Sequence, residues 1–191
     1  MEIFAHLAVL VSIILGLGLS HLLSRVGELV QARATLGVRV TTYWVQLAWV
    51  LVVFLAHVQL WWSLFRWADR LPQASYFEFL LVLMGPVTLF MASRIALPDL
   101  EDNPTVDLRQ YFFAIRPWFF TILGCYPLVA AVTMVFVDDW RWSPDRLVQL
   151  ALSAALFSGA LVRSERYHRV LAAAVLATTL LFIARFTLRV A

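Results

Sequence analysis

The stretch YWVQLAWVLVVFLAHVQLWWSLF, from Tyr43 to Phe65, decides the fold class of this chain. It carries no charged residue, and it exceeds the about 20 residues that a helix needs to cross a hydrocarbon core of ~30 Å. Because lipid offers no hydrogen-bond partners, a segment at this depth must pair its own peptide groups, as a helix does. The stretch therefore predicts a transmembrane helix.

Five further stretches meet or approach this length. Of the 191 residues, 62% are hydrophobic and only 14% are charged, a balance far outside that of soluble domains. The sequence predicts an all-α, polytopic transmembrane bundle of about six spans, forming a single domain over residues 1–191. The expected spans are residues 3–23, 43–65, 77–97, 118–137, 147–162 and 169–188.

The longest connection, from Pro98 to Pro117, permits two interpretations. Asn103-Pro104 is typical of a helix N-terminus, with asparagine as the N-cap and proline at the first helical position. The apolar and polar residues that follow fit a short helix lying in the membrane interface before the fourth span. Alternatively, the fourth helix begins early and kinks at Pro117.

The distribution of arginine bears on partners and orientation. All 15 basic residues are arginine, and the net charge is +3. They are spread over short connections rather than gathered on one face, so we expect no nucleic-acid partner. The arginines divide into two sets, one for each side of the predicted bundle. Because cytoplasmic loops are rich in basic residues, the side with the larger set is expected in the cytoplasm, which places both termini outside it. The larger set is Arg25, Arg33, Arg39, Arg94, Arg109, Arg116, Arg163, Arg166 and Arg169, and the smaller set is Arg66, Arg70, Arg141, Arg146, Arg185 and Arg189.

Three segments carry a resemblance to known proteins. They are HLAVLVSIILGLGLSH (His6 to His21), Tyr43-Trp44, and DLRQYFFAIRPWFF (Asp107 to Phe120). In these segments the chain resembles a family of uncharacterised bacterial six-span integral membrane proteins. The resemblance implies a multi-pass protein of the bacterial inner membrane, whose immediate partner is the lipid bilayer, and it implies no activity.

Two histidines at membrane depth are candidates for a metal or haem site. If the first two spans form a simple antiparallel hairpin, His6 and His57 lie within ~6 Å of the same depth. Such a pair can bind a transition metal, ligate haem iron or pass protons, or each histidine can simply hydrogen-bond a neighbour. Gln46 shares a face of the second helix with His57. The lone Cys125 completes no thiolate cluster, and the sequence names no cofactor.

Two spans contain a glycine and a proline near their middle. Gly85-Pro86 interrupts the third span, and Gly124-Cys125-Tyr126-Pro127 interrupts the fourth. Each proline removes a backbone donor and frees a carbonyl, and in transporters such breaks hold ions or substrate near the midplane. The alternative is an ordinary proline kink that neighbouring helices satisfy.

The sequence leaves three functions open. A small transporter or channel for an ion or small solute is favoured, because the two breaks gather several residues around one location. The alternatives are a redox protein that binds haem or metal through His6 and His57, and a scaffold or accessory subunit with a homo-oligomeric or membrane partner. Familiar enzyme motifs are absent, so catalysis is not expected. The candidate pathway residues are Gln46, His57, Gly85, Pro86, Gly124, Tyr126 and Pro127.

Overall fold

A computed structural model of the chain describes residues 2–35, 37–67, 75–100, 105–137 and 143–187. Within these ranges the architecture is a bundle of α-helices with one short pair of strands, so the expected helical bundle is confirmed. The elements are α1 (Glu2–Ala34), β1 (Arg39–Thr41), α2 (Trp44–Trp67), α3 (Tyr76–Ile95), β2 (Thr105–Asp107), α4 (Leu108–Val137), α5 (Pro144–Leu161) and α6 (Glu165–Thr187).

Five of these helices are long and apolar enough to cross a membrane, namely α1, α2, α3, α4 and α6. The helix α5 has 18 residues but opens with Pro144, Asp145 and Arg146, which lower its hydropathy. The described helices are therefore compatible with a multi-pass membrane protein, while six spans, with residues 147–162 as the fifth, are not confirmed.

The start of α4 differs from the expected interfacial helix. Residues 108–137 form one continuous helix that runs through Pro117, so a separate helix before the fourth span is not confirmed. Asp107 explains the start, because its Oδ1 accepts hydrogen bonds from the backbone N–H groups of Arg109 (2.8 Å) and Gln110 (3.1 Å). A carboxylate in this position caps a helix. The expected cap, Asn103-Pro104, lies outside the described residues.

The helices α3 and α5 begin at serine caps. The Ser75 side chain accepts from the backbone N–H of Glu78, and the Glu78 carboxylate accepts from the backbone N–H of Ser75. At α5, Ser143 Oγ accepts from the backbone N–H of Arg146 at 3.2 Å, and Pro144 follows the cap. These contacts provide acceptors for backbone N–H groups that have no carbonyl partner in a preceding helical turn.

The helices pack around α4 and α2. Along its length α4 contacts α3 on one side and α5 on the other, α1 packs on α3, and α2 packs on α6. The Trp49 ring, fully buried on α2, meets Phe120 edge-on at 4.9 Å between ring centroids and Phe119 at 6.1 Å. Aromatic pairs in this geometry add to the apolar contacts of the core.

One end of the bundle is held together by polar contacts, and we call it the charged end. The α1–α2, α3–α4 and α5–α6 connections lie there. The strands β1 and β2 pair in parallel, with Val40 opposite Val106. Arg25 binds Asp99 through two hydrogen bonds of 2.8 Å, and Glu165 binds Arg109 at 2.7 Å. The last residues of α2 and α4 and the first residues of α3 and α5 lie at the opposite end.

Gly159 on α5 shows how closely the helices approach. A Cβ at this position would lie 2.9 Å from Phe120 Cδ1 on α4 and 3.1 Å from Leu171 Cδ2 on α6. Small residues let helix backbones approach in lipid, where packing is the main force of association. The glycine is therefore a condition for α4, α5 and α6 to meet at this level.

We expect Gly159→Ala to destabilise the fold by about 1–3 kcal/mol, because the added methyl group overpacks a tight site. Gly16→Ala is the matched control, since a Cβ there meets nothing within 4 Å. Unfolding of the purified protein by a titrated denaturing detergent, followed by loss of helical circular dichroism, measures both. Equal midpoints for the two variants would contradict this packing.

Candidate functional site

A cavity of about 120 Å³ lies in the half of the bundle away from the charged end. A single water needs roughly 10–15 Å³ measured in this way, so the space accommodates several waters or a small solute. Two residues that line it, Val148 and Thr178, are also exposed, so the cavity is not sealed from its surroundings. Its walls come from α2, α3, α4, α5 and α6.

The walls combine apolar side chains with hydroxyl and amide groups. Thr133, Thr178 and Thr179 donate to the carbonyls of Val129, Ala174 and Val175 at 2.8–2.9 Å, which leaves the hydroxyl lone pairs free to accept. None of the described lining residues carries a charge. The described walls therefore offer hydrogen bonds to a ligand and no counter-charge. Its polar lining residues are Gln59, Ser63, Tyr126, Thr133, Gln149, Thr178 and Thr179.

Two of these groups have no hydrogen-bond partner among the residues that the structure describes. Gln149 Oε1 is buried and accepts no hydrogen bond there. The Tyr126 hydroxyl on α4 has no recorded partner either, and its side chain is only partly buried. A buried polar group without a partner costs free energy, so such groups mark a place for water or a ligand.

Two prolines inside helices, Pro86 in α3 and Pro127 in α4, leave carbonyls of cavity-lining residues without a helical donor. Pro86 cannot donate to the carbonyl of Val82, and Pro127 cannot donate to that of Leu123, although α3 and α4 remain helical through both positions. Val82 and Leu123 line the cavity. The carbonyl of Gly124, the residue after Leu123, accepts a hydrogen bond from Ser153 on α5 at 2.8 Å. The prolines thus place extra acceptor capacity around the cavity.

The predicted pathway residues fall into two groups. Gly85, Tyr126 and Pro127 line the cavity together. Gly124 instead faces α5, where a Cβ would lie 2.9 Å from the Phe157 ring, and Pro86 is buried beside the lining. The remaining two, Gln46 and His57, lie at a different place in the bundle.

Gln46 and His57 belong to a polar contact region between α1, α2 and α3. Gln46 Nε2 donates to the carbonyl of Ala96, at the end of α3. His57 Nδ1 donates to the Val53 carbonyl at 2.8 Å, and its Nε2 faces Gly18, near Ser93. Both side chains are almost completely buried. The Gln46 hydrogen bond joins α2 to the end of α3, and His57 packs α2 against α1 at Gly18. Neither side chain reaches the cavity.

The structure does not bring His6 and His57 together. His57 lies against Gly18, twelve positions after His6 on α1, a separation of roughly 18 Å along a helix. The His6 side chain is exposed. The physical reason is that α1 continues to Ala34 rather than ending near Leu23, which shifts its register against α2.

The packing around His57 also leaves no space for a haem. A Cβ at Gly18 would lie 2.5 Å from His57 Nε2, so the backbone of α1 occupies the position where iron would stand. Among the described residues no group of three or more His, Cys, Asp or Glu side chains could hold a metal ion. The observed geometry therefore gives no support to ligation of iron by these two histidines.

Four polar residues at or near the cavity are not marked by any sequence motif, namely Gln149, Ser153, Thr178 and Thr179. Each is a polar residue inside an apolar run, which is the only signal that marks them. Threonine in a membrane helix commonly bonds its own backbone, so this signal does not tell which face lines a cavity. The contacts between α4, α5 and α6 supply that information.

We expect His57 to be neutral with its proton on Nδ1, and His168 to be neutral with its proton on Nε2. Each of these nitrogens donates to a carbonyl, of Val53 and Val162 respectively, at 2.8 Å. Histidine-selective ¹⁵N NMR of the detergent-solubilised protein distinguishes the two tautomers, and His57→Gln assigns the first signal. An Nε2 proton on His57 would show that its environment differs from the one described.

Comparison with known proteins adds no function to this geometry. No family model, no curated protein and no solved structure matches the chain. The resemblance of residues 6–21, 43–44 and 107–120 to six-span bacterial proteins stays a prediction. Any function assigned to the chain rests on its own cavity and polar contacts.

Proposed function

We propose that this chain is a multi-pass membrane protein that binds a small uncharged solute in the cavity and conducts it across the membrane. The observation that carries the proposal is the cavity of about 120 Å³, bordered by Val82 and Leu123, whose carbonyls Pro86 and Pro127 leave without their usual helical donor. Binding sites of transporters use backbone groups that a regular helix would occupy internally.

The chemistry of the walls favours an uncharged ligand that has both polar and apolar parts. Bringing an ion to this depth costs several kcal/mol unless charges or dipoles compensate it. The described walls offer hydroxyls, amides and carbonyls on an otherwise apolar surface. This set supports a solute on the scale of urea or glycerol better than it supports the ion also considered from the sequence.

An aromatic layer lies between the cavity and the charged end. Trp49, Phe119 and Phe120 are buried and pack edge-on, and Phe119 and Phe120 lie about one turn before Leu123, a lining residue. In the proposed mechanism this layer closes the pathway toward the charged end. Conduction then requires that the layer opens while the cavity holds its solute, as in alternating access.

The finer topology belongs to the same proposal. The α5–α6 connection lies at the charged end, where Arg109 contacts Glu165, while α5 begins at the other end. A helix of 18 residues spans roughly 27 Å, which supports α5 as a sixth crossing. We place the protein in the inner membrane of a bacterium with the charged end in the cytoplasm, so that both termini lie on the opposite side.

The test is solute flux into liposomes that contain the purified protein. Light scattering after an osmotic step, with urea, glycerol and sorbitol as solutes, measures uptake. We expect protein-dependent uptake of the smaller solutes and none of potassium or chloride. Absence of uptake across this panel would contradict conduction.

A matched pair of variants assigns the flux to the cavity. Ala130→Leu fills a lining position, and Ala154→Leu makes the same change at an exposed position of α5. We expect Ala130→Leu to lower the flux at least about tenfold, the effect of roughly 1.4 kcal/mol on a barrier, with Ala154→Leu unchanged. Equal flux through both variants would remove the cavity from the pathway.

A further inference from the structure

Arg116 on α4 is a buried cation near the charged end. Its side chain is only 4% exposed, and its Nη1 donates to the carbonyl of Val162 at 3.0 Å. Nε is buried and has no hydrogen-bond partner. Over the described ranges no carboxylate pairs with this guanidinium, and a buried charge without a counter-ion is costly.

The neighbouring residues add positive charge and provide no compensation. Val162 ends α5, and its carbonyl also accepts from His168 Nε2 at 2.8 Å, so it is shared between two donors. Arg163 directly follows Val162, the residue that Arg116 contacts, so it adds a second positive charge beside this site. Arg163 and Arg166 are both exposed, and neither forms an ion pair within the part of the chain that the structure describes.

Three other arginines at the same end have carboxylate partners. Glu165 accepts from Arg109 at 2.7 Å and from Arg169 at 2.6 Å, and Asp99 binds Arg25. One corner of this end differs from the rest because a buried guanidinium, that of Arg116, lies beside exposed arginines; we call it the α5–α6 corner and define it as Arg116, Arg163 and Arg166. The first backbone N–H groups of α6, at Glu165 and Arg166, belong to the same turn and favour an anion there.

We propose that the α5–α6 corner binds the phosphate of an anionic phospholipid headgroup. Arg163 and Arg166 contact the phosphate from the surface, and Arg116 supplies fixed charge beneath them. Guanidinium groups bind phosphate with paired hydrogen bonds, and basic sites between membrane helices select anionic lipids. A lipid is favoured over a soluble phosphate because the corner lies where α5 ends and α6 begins, at the charged end of the bundle, where headgroups are found. The proposal does not depend on the cavity or on conduction.

Titration of the purified full-length chain with phosphatidylglycerol or phosphatidylcholine of equal acyl chains, followed by native mass spectrometry, tests this site. We expect wild type to retain phosphatidylglycerol preferentially. The variant Arg163→Gln/Arg166→Gln should lose this affinity roughly 10- to 30-fold, since each basic residue near an anionic headgroup contributes substantially. Both residues are exposed, so the fold should tolerate the change.

The control is Arg33→Gln/Arg39→Gln, which removes two exposed arginines from the same end of the bundle. Retained phosphatidylglycerol affinity in this control supports the corner as a site, whereas an equal loss in both double variants would show attraction by net charge alone. Inorganic phosphate is added as competitor in a separate arm. Displacement of the lipid by millimolar phosphate would overturn the lipid as the ligand, and so would equal binding of the two lipids.

Discussion

Every peptide group at membrane depth must find its hydrogen-bond partner inside the protein, and this constraint organises the whole chain. Most groups are paired within helices, but the prolines of α3 and α4 and the helix ends leave carbonyls over. Polar side chains also donate to backbone carbonyls: Ser153 donates to that of Gly124, next to Leu123, and Gln46 donates to that of Ala96, at the end of α3. The buried polar residues of this bundle are therefore mainly partners of backbone carbonyls.

The same constraint separates two regions of different character. Toward the charged end, ion pairs, the β1–β2 pair and buried aromatic rings close the bundle. Toward the other end, the carbonyls left by Pro86 and Pro127 border a cavity that side chains do not fill. The bundle is thus closed by polar and aromatic contacts toward one end and holds a cavity with polar walls toward the other.

The sequence predicted the helices well where apolar length alone determines them. The bounds of α2 and α3 lie within two residues of the expected spans, because charged or turn-forming residues end both. The expectation for α1 stopped near Leu23, since apolar length says nothing about a helix that continues beyond lipid. Because α1 continues eleven residues beyond the expected end, His57 packs against Gly18 and not near His6. The strands β1 and β2 have three residues each, too short for a pattern to predict.

The candidate site was predictable only in part. Glycine and proline breaks are visible in a sequence, and Gly85, Tyr126 and Pro127 do line one cavity. Gln46 and His57 were grouped with them because polar residues at membrane depth are rare. Their actual partners, Ala96, Val53 and Gly18, come from other turns and helices, and spacing along one helix cannot identify them. The cavity-facing positions of Gln149 and Thr179 can be predicted only when the faces that α5 and α6 turn toward α4 are known.

Water in the cavity is the quantity on which this account depends, and thiol reactivity measures it. Thiols react as thiolates, which form in water and not in lipid. In a Cys125→Ala background, Ala130→Cys in the cavity is compared with Ala154→Cys on the outer face of α5 by the rate of modification with N-ethylmaleimide in proteoliposomes. We predict rapid modification at position 130 and slow modification at 154. Equally slow modification at both positions would show a dry interior and contradict the account.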